Sequence, residues 1–498
     1  MRTTCSILAV ALTLTGAACT RTHQSMPGDP LRADVEQGTL HGAEADGIRH
    51  FFGIPFAAPP VGDLRWKGPR PAARWSGVRD ASTFGPTCEQ ARPPGLPAAA
   101  AVPMSEDCLS LNIWSPRDRD GPLPVMVWIH GGGFLFGSNR EPSFDGTQLA
   151  KKGVVLVTIN YRLGALGFMA HPELTAESPN HASGNYGILD QIGALQWIRR
   201  NIAAFGGDSS NVTVFGESAG STAISILQAS PLAKGLFARA IGESTSQFDP
   251  DGGLVGRKDL GQAEQYGKAF GAKLGANSIA AMRALTPEQI LAQPTFFWPT
   301  ERDSYVLPDL VYNIFANGKQ NDVSALVGSN SDEGSALRMA WVKRAESDPA
   351  AYDRVYSGEP DVLRRSSTDA VQWQMRSWAR LQARTGTAKA WLYWFDQPWP
   401  GRMEKGAFHG AEIVYVFKNL QAADQPWTAG DRKVSDLMAN YWVNFARTGN
   451  PNGPGLPHWP SYSDGNPKLM RLAPKPEVIT TPRSNAQTFL DGYYAKRR

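Results

Sequence analysis

The chain has 498 residues, 42% of them hydrophobic and 19% charged, with a formal net charge of +4. That is a globular composition, long enough for one large core or two ordinary ones. The charge is too small over this length for a nucleic-acid partner, and no lysine-arginine block changes that.

Residues 1–19 carry one basic side chain, Arg2, an apolar core from Ile7 to Leu14 and small residues behind it. This predicts an export signal, too short to span a bilayer permanently. Gly16-Ala17-Ala18-Cys19 resembles a bacterial lipoprotein cleavage site, with Gly16 where leucine is usual. Lipidation of Cys19 and ordinary cleavage to a soluble product both stay open, and an anchor on Cys19 is the one membrane association expected. Residues 20–33, polar with two prolines, read as a tether. Cys5 and Cys19 belong to the leader, and in an exported chain the remaining Cys88 and Cys108 most simply pair.

Residues 35–75 show short strand-like pieces broken by turns and predict an N-terminal hairpin region. Residues 124–130 (PVMVWIH) and 153–160 (GVVLVTIN) are continuous apolar runs, the mark of strands buried on both faces of a mostly parallel or mixed sheet. Residues 186–205 have helical period, with Ile188, Ile192, Leu195, Ile198 and Ile202 at three- and four-residue steps. Further strands are expected at 211–215, 237–241, 323–327 and 389–395. Residues 249–299 and 338–378 are helical in flavour and read as insertions over the sheet that shape a pocket. Residues 431–447 predict an amphipathic helix started by Asp431 and stopped by Gly449. No repeat and no composition shift divides the chain, so residues 34–498 read as a single α/β domain.

Residues 205–220 read FGGDSSNVTVFGESAG. A G-x-S-x-G sequence between a strand and a helix holds its serine in a strained turn, with the hydroxyl clear of the backbone. A β-carbon on Gly216 or Gly220 would collide with the opposite limb of that turn. Read blandly, the glycines only relieve crowding and the serine caps the next helix. The β-branched run before it and the small-residue helix after it make Ser218 the candidate nucleophile.

A serine hydroxyl needs a base, and imidazole has the pKa for it. Of eight histidines, only His409 and His458 follow Ser218, as the order serine, acid, histidine requires. His409 lies in the loop GAFHGAE and is favoured; His458 sits between prolines and reads as a packed or surface residue. The acid must fall between Ser218 and His409, where Asp332, Glu333 and Asp396 each follow an apolar run and stay open on this reading. A histidine base implies that turnover falls on acidification, with a midpoint near or below the free value of about 6.5. Upstream, HGGGF (130–134) follows a strand, and its glycine N–H groups together with that of Ala219 could converge on an oxyanion.

On these residues the chain resembles the type-B carboxylesterases, the family of the cholinesterases and bacterial para-nitrobenzyl esterases, over nearly its whole length behind the leader. FGGDSSNVTVFGESAG matches the serine signature, and SEDCLSLN (105–112) the second signature except at Ser110; GIPFAAPPVGDLRW, PVMVWIHGGGF, NYRLGALGF, GNYGILDQ, HGAEIVYVF and FARTGNPN are similar too. The resemblance implies an α/β-hydrolase fold, a central mostly parallel mixed sheet flanked by helices with helical insertions over the active site. It implies Ser218 as nucleophile, Glu333 as the acid, His409 as base, and Gly132, Gly133 and Ala219 as oxyanion donors. It pairs Cys88 with Cys108, and Arg65 with Glu106 and Arg162 with Asp190 as structural ion pairs. The sequence departs from the family at WPTERDSY (298–305), beside the acyl pocket, and at Thr245, where glycine is usual.

The expected function is hydrolysis of a small or medium neutral aryl or alkyl ester through a serine acyl-enzyme, without metal or organic cofactor. Phe134, Phe136, Phe296, Phe297 and Trp298 are the expected apolar pocket walls. The segment from Cys88 to Cys108 holds no tryptophan to cage a quaternary ammonium, which argues against choline esters. An amidase, carbamate hydrolase or lipase could use the same triad, because fold does not fix substrate. A silent adhesion protein of the neuroligin kind shares the fold, but Ser218, Glu333 and His409 occurring together speak against silence. Oligomeric state is not legible in the sequence.

Overall fold

Apolar runs flanked by glycine and proline pair into one sheet of eleven strands in the computed structural model. The model describes residues 29–91, 102–250, 259–293, 295–300, 302–339, 341–402 and 406–497. The export signal, Cys19 and most of the tether lie outside the described residues, as does most of the loop between Cys88 and Cys108.

The strands are β1 Ala43–Ala45, β2 Ile48–Pro55, β3 Ser110–Pro116, β4 Leu123–Ile129, β5 Val155–Ile159, β6 Gly207–Glu217, β7 Arg239–Glu243, β8 Ser324–Asn330, β9 Ala390–Phe395, β10 Lys468–Leu472 and β11 Glu477–Thr480. Their order is β11-β10-β9-β8-β7-β6-β4-β5-β3-β2-β1. The stretch from β10 to β5 is parallel throughout, and both edges are antiparallel. The predicted N-terminal hairpin region divides in two. β1 and β2 form a hairpin on the large sheet, while Arg32–Val35, Gly38–His41 and Val78–Asp80 form a separate three-stranded sheet.

Both faces of the parallel strands are buried, and alternate residues feed opposite cores. Val125, Val127 and Val214 join one cluster with Ile188, Ile198, Ile224 and Trp378; Met126, Trp128 and Phe215 join the other with Phe417, Trp442 and Phe445. Helices α1 Tyr186–Asn201, α2 Ala219–Ala229, α3 Val362–Thr385 and α4 Ala429–Thr448 supply most of that cover. The strand predicted at 237–241 starts at Arg239, because its register is set by pairing with β6 and β8 rather than by Phe237, which packs in the core beneath it. Helix α4 begins before Asp431. Thr428 caps it, and the Asp431 carboxylate reaches back to the Thr428 N–H at 2.9 Å, so the aspartate is the third residue of a capping box rather than the cap. Gly449 ends it at φ 77°, as expected.

Cys88 and Cys108 are bonded and buried. Arg65 meets Glu106 through two hydrogen bonds of 2.7 and 2.6 Å, and its remaining nitrogen donates to the carbonyls of Met282, Arg283 and Leu285. Arg162 forks onto Asp190 at 2.8 and 2.7 Å, both side chains buried. Removing one partner of a pair buried this deeply costs about 3–5 kcal/mol, because it strands a charge. The first pair ties two loops to each other and to residues 282–285, and the second ties the loop after β5 to α1.

Candidate active site

Strand β6 ends at Glu217, Ser218 takes φ 56° and ψ −122°, and α2 starts at Ala219. A positive φ at a serine costs on the order of 1–3 kcal/mol and persists only where its surroundings enforce it. A β-carbon on Gly216 would sit 2.4 Å from the Ile129 carbonyl oxygen, and one on Gly220 2.0 Å from the same atom. The expected collision across the turn is the lesser one, at 3.0 Å between a Gly216 β-carbon and the Gly220 carbonyl carbon. The glycines are needed chiefly because α2 starts against the tip of β4.

Ser218 Oγ lies 2.8 Å from His409 Nε2, and His409 Nδ1 lies 2.6 Å from Glu333 Oε2. Glu333 opens a single 3-10 turn directly after β8, is fully buried, and accepts the Asn330 N–H at 2.7 Å on its other oxygen. The other carboxylates are engaged elsewhere. Asp332 accepts both arms of Arg364, and Asp396 accepts from Arg471 at 2.8 Å. His458 is exposed. His130 stacks on Tyr161 with Nδ1 2.9 Å from the Gly131 carbonyl, and burial pushes its pKa down to about 4, so it stays neutral.

A β-carbon on Gly131 would meet Ser218 Cβ at 3.1 Å, which brings the glycine run against the serine. Gly132 and Gly133 follow at φ 97° and 64°, a backbone path that side chains resist. Among the described residues, the N–H groups of Gly132, Gly133 and Ala219 have no acceptor in the protein. Donors of this kind are worth about 3 kcal/mol each when aimed at a developing oxyanion.

Three buried glutamates, Glu217, Glu333 and Glu412, surround His409, and a fourth, Glu243, lies behind Glu217 and Glu412. Burial raises Glu217 to about 8 and Glu412 to about 7, and lifts Glu243 well above the ordinary carboxylate range. Burial by itself would lower His409, but the Glu217 and Glu333 carboxylates outweigh it and raise the imidazole to about 9. Glu217 lies 3.1 Å from His409 Nε2 and Glu333 2.6 Å from Nδ1. The expectation of a midpoint near or below the free value is corrected upward, since it left the neighbouring carboxylates out of the balance. Glu217 beside Ser218 and Glu412 three residues after His409 were visible signals of that effect.

The predicted pocket walls do not stay together. Phe134 is fully buried against Tyr161 and Phe168, and Phe297 against Tyr266 and Phe270, so both are core rings rather than pocket wall. Phe136 and Trp298 are half-buried, and Phe296 is exposed and stacks on Trp298. In the run that departs from the family, one Asp303 oxygen accepts the N–H groups of Tyr305, Val306 and Leu307, and the other accepts from Asn185. Residues 303–307 are thus a braced turn.

The carboxylesterase family model matches residues 29–361 and 359–490. The chain is 39% identical to a fumonisin B1 esterase of Sphingopyxis macrogoltabida, over 87% of this chain and 85% of that one. It is 35% identical to the para-nitrobenzyl esterase of Bacillus subtilis, over 90% and 96%. A solved structure of a PNB esterase superposes with a TM-score of 0.82 at 33% identity, covering 93% of this chain and 99% of that one. The glycine-braced elbow, the serine-histidine-glutamate contacts and these likenesses agree: the chain belongs to the carboxylesterase family and is a carboxylic ester hydrolase of the α/β-hydrolase fold.

Proposed function

We propose that Ser218, His409 and Glu333 form the catalytic triad of a serine esterase acting on small or medium neutral aryl or alkyl esters. The observation that carries this is the pair of hydrogen bonds running from Ser218 through His409 to Glu333. His409 Nε2 takes the hydroxyl proton as Ser218 Oγ attacks the ester carbonyl, and Glu333 holds the imidazolium that forms. The oxyanion is received by the N–H groups of Gly132, Gly133 and Ala219. His409 gives its proton to the departing alcohol, and water repeats the sequence to release the acid. The likeness to a para-nitrobenzyl esterase and the accessible aromatic rings of Phe136, Phe296 and Trp298 support an aryl or alkyl ester as the substrate class.

The composition of residues 1–19 and the Cys88–Cys108 bond support an exported, periplasmic or secreted enzyme, soluble or anchored through Cys19. The single eleven-stranded sheet supports one domain over 34–498. A panel of para-nitrophenyl esters of rising acyl length, read with and without an organophosphate, tests the reaction. Hydrolysis that stops when phosphate is found on Ser218 by mass spectrometry is expected; hydrolysis that survives full labelling of Ser218 would overturn the triad.

A further inference from the structure

The turn after β7 carries Ser244 at φ 59° and Thr245 at φ 98°. A β-branched residue at such an angle is crowded by its own backbone, and glycine would relieve it. Thr245 is buried and its hydroxyl is fully engaged. Oγ1 donates to the Ser218 backbone carbonyl at 2.8 Å, and the Thr222 hydroxyl, 3.0 Å away, donates to Oγ1 in turn. The same Ser218 carbonyl accepts the Thr222 N–H at 2.9 Å, and Ser221 Oγ donates back to the Thr245 carbonyl at 2.6 Å. Two turns at the tips of adjacent strands are thereby locked face to face.

The carbonyl that Thr245 holds belongs to the same planar peptide as the Ala219 N–H. Hydrogen bonds on one side of a peptide fix its plane and polarise the donor on the other side. We infer that Thr245 is a positioning residue for the reaction: its hydroxyl grips the Ser218–Ala219 peptide from behind, aims the Ala219 N–H at the oxyanion and steadies Ser218 Oγ toward His409. The strained backbone is the cost of placing a hydroxyl there. This rests on the reading of Ser218 as nucleophile.

The test uses the full-length enzyme and the variants Thr245→Ser, Thr245→Gly and Thr245→Val, with kcat and KM for para-nitrophenyl butyrate, inhibition by a trifluoromethyl ketone and thermal midpoints. Thr245→Ser keeps the hydroxyl and should stay within about two-fold of the parent in kcat. Thr245→Gly and Thr245→Val lose both hydrogen bonds of that buried hydroxyl, the one to the Ser218 carbonyl among them, and should lose roughly ten-fold in kcat with KM little changed. The ketone, which forms a tetrahedral adduct, should weaken by the same factor, a change that loss of packing alone would not make. Thr245→Gly should have a thermal midpoint no lower than the parent, since it sheds the strain, so its lost turnover is not lost folding. Parental turnover in Thr245→Gly, or an equal loss in Thr245→Ser, would overturn the inference. If an organophosphate fails to label Ser218 in the parent, this inference and the triad fall together; if it labels, a silent Thr245→Gly sinks this one alone.

Discussion

Strands β6 and β7 lie side by side in parallel register and end on the same two residues, each followed by a serine. Gly216 and Glu217 pair with Gly242 and Glu243, and Ser218 and Ser244 after them have φ values of 56° and 59°. Both glutamates are buried. Yet Ser218 Oγ reaches His409, whereas Ser244 Oγ donates to Glu412 at 3.2 Å in the interior, and Glu243 accepts from Trp442 at 2.7 Å. The difference begins at the fifth position. Gly220 lets α2 start flush against the Ile129 carbonyl, so the chain turns away directly after Ser218, while Ser246 in the second turn is buried. A strained serine after a buried glutamate is therefore not enough to make a nucleophile. The neighbours decide.

The largest expected contrast is between the two serines. Ser218→Ala should abolish ester hydrolysis, a loss on the order of 10⁶-fold in kcat, while Ser244→Ala should stay within about ten-fold, the scale of one buried hydrogen bond. Steady-state kinetics with para-nitrophenyl butyrate separate the two, and comparable losses would erase the distinction between the turns. Next come the two carboxyls after β8. Glu333→Ala should cost about 10⁴-fold in kcat, whereas Asp332→Ala breaks the contact with Arg364 and should register in the thermal midpoint with turnover largely kept. The reverse ranking would reassign the acid.

A smaller effect concerns the glutamates of the two turns. In the proposed triad His409 acts as base only when neutral, so activity is expected above its raised pKa and is lost as pH falls through it. The acid limb of kcat/KM should lie above the free-imidazole value of about 6.5. Glu217→Gln removes a carboxylate beside Nε2 and should move that limb to lower pH, while Glu243→Gln, held by Trp442 one strand further off, should move it less. Equal shifts would mean that both turns share one proton pool. The smallest effect on turnover is expected far from either turn. Reducing the Cys88–Cys108 bond should lower unfolding stability by about 3 kcal/mol, seen as a lower urea midpoint, with kcat per folded molecule unchanged. A fall in kcat would show that the serine is held from that distance.

The parallel strands were legible in the sequence because burial on both faces leaves uninterrupted apolar runs, as at β4 and β5. Strand limits at β7 and the start of α4 were not, since pairing register and a side-chain cap override hydrophobicity at the ends of elements. Ser218 and His409 could be read from motif and chain order, because a tight elbow demands glycines at fixed spacing whatever surrounds it. Among Asp332, Glu333 and Asp396, local sequence was indifferent and only the resemblance to a family chose. The tertiary structure supplies the physical reason: Arg364 and Arg471 occupy the other two, and Glu333 alone points inward to His409. The aromatic wall was misjudged for the same cause in reverse, since apolar character says that a ring is covered but not whether protein or substrate covers it. Distances across the sheet decided that, as they decided which of two Gly-Glu-Ser turns would face a histidine. No stretch of chain carries information about a partner brought to it from almost two hundred residues away.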